Sequence, residues 1–261
     1  MTSRPATEPI LRLEHITLAF GGVTAVNDVS FDVARGEICA LIGPNGAGKS
    51  SLLNVINGLY HPQQGSITFD GSRARRLGPH DMATSGIART FQNIALFTRM
   101  NVLDNVLTGR NLATKATFIE QAFRLPGAIA DENDQREEAE RVIDFLEIQP
   151  YRKQVVGKLP YGLQKRVELA RALASKPKLL LLDEPMAGMN SEEKSAMCRY
   201  ILETNRRLNA TIVLIEHDMG VVMDISDHVV VLDYGRKIAD GTPDEVRANP
   251  AVIDAYLGVA H

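Results

Sequence analysis

The chain has no tryptophan and only two cysteines, aromatic residues make up just 5%, and neither sign of charge dominates its 29 basic and 32 acidic residues. Each shortage excludes something. Cys39 lies in an apolar strand pattern and Cys198 in a helical one, neither with a second cysteine or histidine at metal-ligand spacing. A disulfide framework and a zinc site are therefore not expected, and both read as reduced core thiols. A formal net charge of −3 recruits neither nucleic acid nor an anionic membrane surface. No apolar run approaches the roughly 18 residues that span a bilayer, and residues 1–9 lack the apolar segment of a signal peptide. A cytoplasmic chain is expected, with any membrane contact made through a protein partner. Repeats and low-complexity segments are missing too. A chain of 261 residues suits one large α/β domain with an insertion, or two unequal domains.

What is present is organised around Gly43, Pro44, Asn45, Gly46, Ala47, Gly48, Lys49 and Ser50, followed by Ser51, which fit G-x-x-x-x-G-K-[ST] at every fixed position. Residues 37–42 form an apolar run of strand length ahead of it. Behind it, Leu52, Leu53, Ile56 and Leu59 recur at helical spacing. Strand, glycine-rich loop and helix make a phosphate cradle, with backbone N–H groups and the positive end of the helix facing a polyphosphate. Lys49 is expected on the β- and γ-phosphates and Ser50 on Mg²⁺.

Upstream, Leu11, Leu13, Ile16, Leu18 and Phe20 alternate, as do Val29, Phe31 and Val33, which predicts an antiparallel edge leading into the main sheet. Phe20 ends its strand before Gly21 and Gly22, either to stack on a bound base or to pack in the core. Strands are also expected over 65–70 and 87–91, the second delivering Gln92 at its exit. Arg73, Arg75 and Arg76 form a basic cluster read as a solvated face. Over 93–160 strand patterns give way to helices, one around Val102, Val106 and Leu107 and an amphipathic one over 131–148. Pro126 and Gly127 break the weakly patterned stretch between them.

Leu159, Pro160, Tyr161, Gly162, Leu163 and Gln164 precede a helix expected over 165–174. Then Leu179, Leu180, Leu181 and Leu182 end in Asp183 and Glu184: a strand buried on both faces that carries two carboxylates to its C-terminal edge. Alternation along a strand separates their jobs: Asp183 suits Mg²⁺ binding, Glu184 orientation or deprotonation of a water. Asn190 and Glu193 form a capping box for the next helix. Thr211–Ile215 is a strand ending in Glu216, His217 and Asp218, where His217 is either structural or catalytic. A hairpin and two short helices close the chain.

The ordered set resembles the nucleotide-binding subunit of ATP-binding cassette (ABC) transporters over nearly all positions. The resemblance implies a P-loop NTPase (RecA-like) α/β core with an antiparallel β subdomain over 1–92 and 160–261, and an inserted helical subdomain over 93–159 leading to the signature motif. It also assigns adenine stacking to Phe20, phosphate binding to 43–51 and the Mg²⁺ and lytic-water link to Gln92. Asp183 and Glu184 become the second nucleotide motif, His217 the switch histidine, and 159–164 the signature that meets the γ-phosphate of a second subunit. That signature departs from Leu-Ser-Gly-Gly-Gln, with Pro160, Tyr161 and Leu163 in place of its serine, one glycine and its glutamine, and Asn190 stands where the family mostly has aspartate. Leu-Pro-Tyr-Gly, together with 86–96, 182–190, 215–219 and 249–258, looks like the branched-chain amino-acid importer branch. The implied assembly is an ATPase on the cytoplasmic face of the inner membrane. It includes a second ABC ATPase, identical or paralogous, two permease subunits and, indirectly, a periplasmic solute-binding protein. The alternatives are a soluble non-transport ABC ATPase and an ATP-gated scaffold with little turnover.

Overall fold

Buried and exposed side chains alternate along β1 (Leu11–Phe20) and β2 (Val23–Val33), because one face of this ribbon meets an apolar layer and the other meets water. The structure, a computed structural model, describes residues 8–74, 78–117, 120 and 122–257. Arg75, Arg76, the residues before Glu8 and the stretch from Gly258 lie outside them. Strands β1 and β2 pair with β4 (Gln64–Phe69) and β5 (Ser72–Ala74) in an antiparallel sheet of order β2-β1-β4-β5. This sheet is separate, and it is not an edge continuing into the main one: among the described residues its strands pair as strands only with one another.

The main sheet has the order β10-β9-β3-β8-β7-β6, formed by β3 (Ile38–Ile42), β6 (Ile87–Arg89), β7 (Leu179–Asp183), β8 (Thr211–Ile215), β9 (His228–Asp233) and β10 (Arg236–Gly241). All its pairings are parallel except β9 with β10. Every residue of β3, β7 and β8 is buried. That is why their sequences are continuous apolar runs: both faces of a parallel sheet are covered. On one face, Leu41, Val213 and Leu232 pack with Leu52, Leu53 and Ile56 of α1 (Lys49–Ile56) and with Leu13, Val29 and Phe31 of the antiparallel sheet. On the other, Ala40, Ile42, Val229 and Val231 meet Val222 of α7 (Met219–Ile225), Val246 of α8 (Pro243–Arg247) and Val252 of α9 (Pro250–Leu257). A further helix, α2 (Pro79–Ser85), precedes β6.

The contacts divide the chain into two units. One comprises the described residues within Met1–Arg89, Lys178–Pro185 and Ile201–His261, the other those within Thr90–Pro177 and Met186–Tyr200. The first holds both sheets. The second is built on α3 (Val102–Thr108), α4 (Pro126–Phe145), α5 (Tyr161–Ala174) and the first half of α6 (Ser191–Leu208). Its one β pairing among the described residues is an isolated bridge from Asn101 to Val155.

Several boundaries differ from the sequence expectation. Pro126 sits in the first turn of α4, which therefore opens where a break was expected, because proline's missing N–H costs nothing there. Helix α5 starts at Tyr161, four residues early, with Pro160 as its cap. It belongs to the helical unit, as does 186–200, whereas the expected division left both with the core. Strand β6 stops at Arg89, so Gln92 lies in a loop of the second unit and is not at a strand exit.

Candidate functional site

Strand β3 ends at Ile42 and the chain turns through Gly43 at φ +148°, Gly46 at +81° and Gly48 at +98° into α1. Glycine is required twice for space as well as conformation. A Cβ on Gly43 would lie 2.1 Å from the Leu232 carbonyl oxygen, and one on Gly48 2.3 Å from that of Ala25. Gly48 caps α1 without a side chain and no acid occupies the first turn, so its leading N–H groups face outward as an anion site. Pro44, Asn45, Gly46 and Ala47 form the arch, with Asn45 and Gly46 exposed and Ala47 buried. Ser50 is exposed and Ser51 half-buried.

Lys49 is only 6% exposed, and its Nζ donates to the carbonyls of Gly43 at 2.7 Å and Pro44 at 2.9 Å. Burial lowers its pKa, while the charges of Glu184 and Asp183 oppose that shift. Those two carboxylates stand at the end of β7. Asp183, the last strand residue, is 4% exposed; its Oδ2 accepts from Arg89 Nη2 at 2.9 Å, and Arg89 in turn donates to Asn54 of α1. Its other oxygen, Oδ1, is buried with no hydrogen-bond partner. An orphaned carboxylate oxygen beside a phosphate loop suits a small hard cation, and Ser50 offers a hydroxyl for the same ion. Among the described residues no cluster of three or more His, Cys, Asp or Glu could hold a metal.

Glu184 lies just past the strand at φ +49°, its N–H donating to the Ile215 carbonyl at 3.0 Å. A left-handed turn thus separates it from Asp183, where simple strand alternation was expected. Its Oε1 lies 2.7 Å from Nε2 of His217, which follows β8 and is 45% exposed on its side chain. A half-exposed imidazole against a partly buried carboxylate can hold and pass a proton. Phe20 is 45% exposed and is not packed in the core. It meets Tyr60 edge-on, with ring centroids 5.0 Å apart, leaving its face open for stacking.

The remaining sequence-named residues belong to the helical unit. Leu159 is buried, Tyr161 is 43% exposed, Leu163 is half-buried, and the Gln164 amide turns back to donate to the Leu159 carbonyl at 2.8 Å. Asn190 and Glu193 make the expected reciprocal cap at 2.9 and 3.1 Å. A Cβ on Gly162 would lie 2.2 Å from Glu193 Oε1, and one on Gly188 3.3 Å from the Tyr161 ring, so the signature turn packs directly on that cap. Gln92 is held through its main chain by a group the sequence reading missed. The Lys165 ammonium donates to the carbonyls of Phe91 and Gln92 at 3.1 and 2.9 Å. Glu168 pairs with Lys165 at 3.5 Å and accepts the N–H groups of Phe91 and Ala95, both at 3.3 Å. Both side chains are almost wholly buried. The signal was available as charges three apart, Lys165, Glu168 and Arg171, on a helix otherwise lined by Val167, Leu169, Ala170 and Leu173.

A model of the ABC transporter family matches residues 26–187, more than half of the chain. The chain belongs to that family. A second model, for the branched-chain amino acid ATP-binding cassette transporter, matches residues 236–261 of this ABC protein. The cassette is 39% identical to the high-affinity branched-chain amino acid transport ATP-binding protein BraF of Pseudomonas aeruginosa, over 97% of this chain and 100% of that protein. It is 36% identical to the corresponding LivG protein of Escherichia coli, with the same coverage. The solved ADP conformation of MJ1267, an ATP-binding cassette of an ABC transporter, superimposes with a TM-score of 0.84 at 32% identity, covering 97% of this chain and 100% of that one. The cassette is accordingly an ABC ATPase that binds nucleotide and lacks, among its described residues, any helix long and apolar enough to cross a membrane.

Proposed function

We propose that this cassette is the ATP-hydrolysing subunit of an importer for branched-chain amino acids or a similar small solute. The observation that carries the solute class is the match of residues 236–261 to the branched-chain model, beyond the general ABC match, together with relatives over nearly the whole chain named for that transport. In this reading the arch from Gly43 to Ser51 and the Lys49 ammonium hold the polyphosphate, and Phe20 stacks on the base. Lys49 would exchange its two loop carbonyls for phosphate oxygens, a trade of neutral acceptors for charged ones that favours binding. Glu184 takes a proton from water, and His217, at 2.7 Å, orients it and shares the charge that develops. Asp183, Ser50 and Gln92 would hold Mg²⁺, which when bound screens the phosphate charges.

The signature residues 159–164 would complete the site of a second ATPase, identical or paralogous. With Pro160 and Leu163 lacking the usual polar side chains, and Gln164 engaged with Leu159, the contact would fall to the leading N–H groups of α5 from Gly162 onward. Nucleotide binding then closes the ATPase pair and hydrolysis opens it. Two permease subunits would anchor the pair at the cytoplasmic face of the inner membrane and receive solute from a periplasmic binding protein. Two measurements test the reading. Co-purification from detergent-solubilised membranes should recover two permease chains and a second ATPase, and vesicles rebuilt from them should accumulate leucine only with ATP. A complex that forms but transports no aliphatic amino acid would overturn the solute, and no complex at all would overturn import.

A further inference from the structure

The helical unit contains a cavity of about 300 Å³ that the nucleotide chemistry does not use. Its wall is formed by Arg110, which is 6% exposed, and by Gln135, also buried, while Leu107, Ala128 and Ile129 make it apolar on one side. Arg110 Nε donates to Gln135 Oε1 at 2.7 Å and Nη1 to the carbonyl of Ala174, at the end of α5, at 2.7 Å. Among the described residues no carboxylate lies within ion-pair distance of this guanidinium and its Nη2 makes no hydrogen bond; Glu138 acts on it only at longer range and is itself held by Arg141 and Lys176. The C-terminal end of a helix supplies about half a negative charge, which does not balance a full buried cation. Buried charges are ordinarily paired, and one that faces a cavity unpaired points to an anion.

The other lining charges narrow the class. Asp131 is already engaged, one oxygen accepting from Gln135 and the other from the N–H groups of Lys115 and Ala116. Arg124, Arg136 and Glu132 also line the cavity, so with Arg110 and Asp131 the wall carries one positive charge in excess. A monoanion is favoured over a zwitterion. The volume lies at the small end of ligand pockets, and its apolar side has no use for a bare inorganic anion.

From this geometry we infer that the cavity of the helical unit is a binding site for a small carboxylate with a short aliphatic part, its carboxylate on Arg110 and its chain against Leu107, Ala128 and Ile129. Occupancy would draw on the same guanidinium that holds the end of α5, which links the ligand through Arg110 to the helix carrying the signature turn.

The test is titration calorimetry on the full chain, without nucleotide, using isovalerate, leucine and inorganic phosphate. Isovalerate should give saturable heat below about 10 mM, within reach of a seven-heavy-atom ligand. Leucine and phosphate should bind more weakly. Arg110→Met should weaken isovalerate by at least about tenfold, the scale of a charge-assisted hydrogen bond. Because that change also removes a helix-end contact, Ala128→Leu, which fills the cavity and leaves the guanidinium in place, should weaken binding to a similar degree. No saturable heat, equal binding by both variants and the parent chain, or phosphate competing as well as isovalerate would each overturn the inference. Leucine binding more tightly than isovalerate would overturn the choice of a monoanion.

Discussion

Replacing Lys165 by methionine keeps most of the side-chain volume and removes only the ammonium, so its effect isolates the buried charge pair beneath the Gln92 loop. Three interactions go at once: the donations to the Phe91 and Gln92 carbonyls, at 3.1 and 2.9 Å, and the 3.5 Å contact with Glu168. Glu168, 1% exposed, is left as an unpaired buried carboxylate. Removing one partner of such a pair costs about 3–5 kcal/mol. The strain falls where Glu168 accepts the amides of Phe91 and Ala95, so their protection against hydrogen exchange should drop by that amount. At about 1.4 kcal/mol per factor of ten, exchange at these two amides should accelerate by about 10² or more. The double variant Lys165→Met/Glu168→Gln removes the orphaned charge while keeping an acceptor for both amides. It should therefore recover at least about 1 kcal/mol of the loss, a coupling of the size expected between touching residues. Exchange measured residue by residue on the folded chain checks both steps. Rates at Phe91 and Ala95 unchanged in the single variant, or lower protection in the double than in the single, would refute the pair as the support of this loop.

Lys49→Ala should abolish tight binding of ATP with Mg²⁺, measured by calorimetry, since the buried ammonium is the loop's only cation. Unchanged affinity would contradict the cradle. Glu184→Gln preserves the hydrogen-bonding distance to His217 but removes the base, so phosphate release should slow by about 10² or more with ATP binding intact; a loss under about tenfold would assign the base elsewhere. Gly162→Asp should lower turnover less than Glu184→Gln in a preparation with the partner ATPase, though its side chain would collide with Glu193; equal losses would argue for two equivalent sites. His228 is raised to about 12: burial lowers it, but contacts with Asp240, Cys39 and Glu37 more than compensate. A raised folded-state value gives stability fully present below the ordinary 6.5 and lost as pH climbs toward 12, by at most about 1.4 kcal/mol per pH unit. The urea-unfolding gap between the parent chain and His228→Gln should accordingly be larger at pH 6 than at pH 9, and a gap constant across that range would remove His228 as its source.

The elements legible in the sequence were those whose causes are local. The run ending at Ile42, the four leucines before Asp183 and the strand Thr211–Ile215 announce buried parallel strands, and the glycine spacing announces the cradle. The Asn190–Glu193 cap is equally local, since donor and acceptor lie three residues apart. The contacts that were missed join residues far apart in the chain. Arg89 reaches Asp183 across 94 positions, and Lys165 reaches Gln92 across 73; no periodicity carries such a pairing. Helix α5 was expected late because Tyr161 and Gly162 are weak helix formers, and its early start is supported by proline capping and by packing against Glu193. Glu184 was expected to obey strand alternation, but its backbone turns left-handed, a conformation its side chain does not advertise.

The turn between β9 and β10 is only Tyr234 and Gly235, both at positive φ, and what it touches is main chain. Gly235 donates to the Ala47 carbonyl at 3.1 Å and accepts from the Asn27 N–H at 2.7 Å. The arch is therefore positioned by peptide groups of three segments. Natural variation can alter the 87%-exposed Tyr234 with little consequence for that alignment. Lengthening the hairpin by a single residue would displace the donor and acceptor together. In a lineage of such cassettes, insertions should accumulate elsewhere and this turn should keep its length while its letters drift.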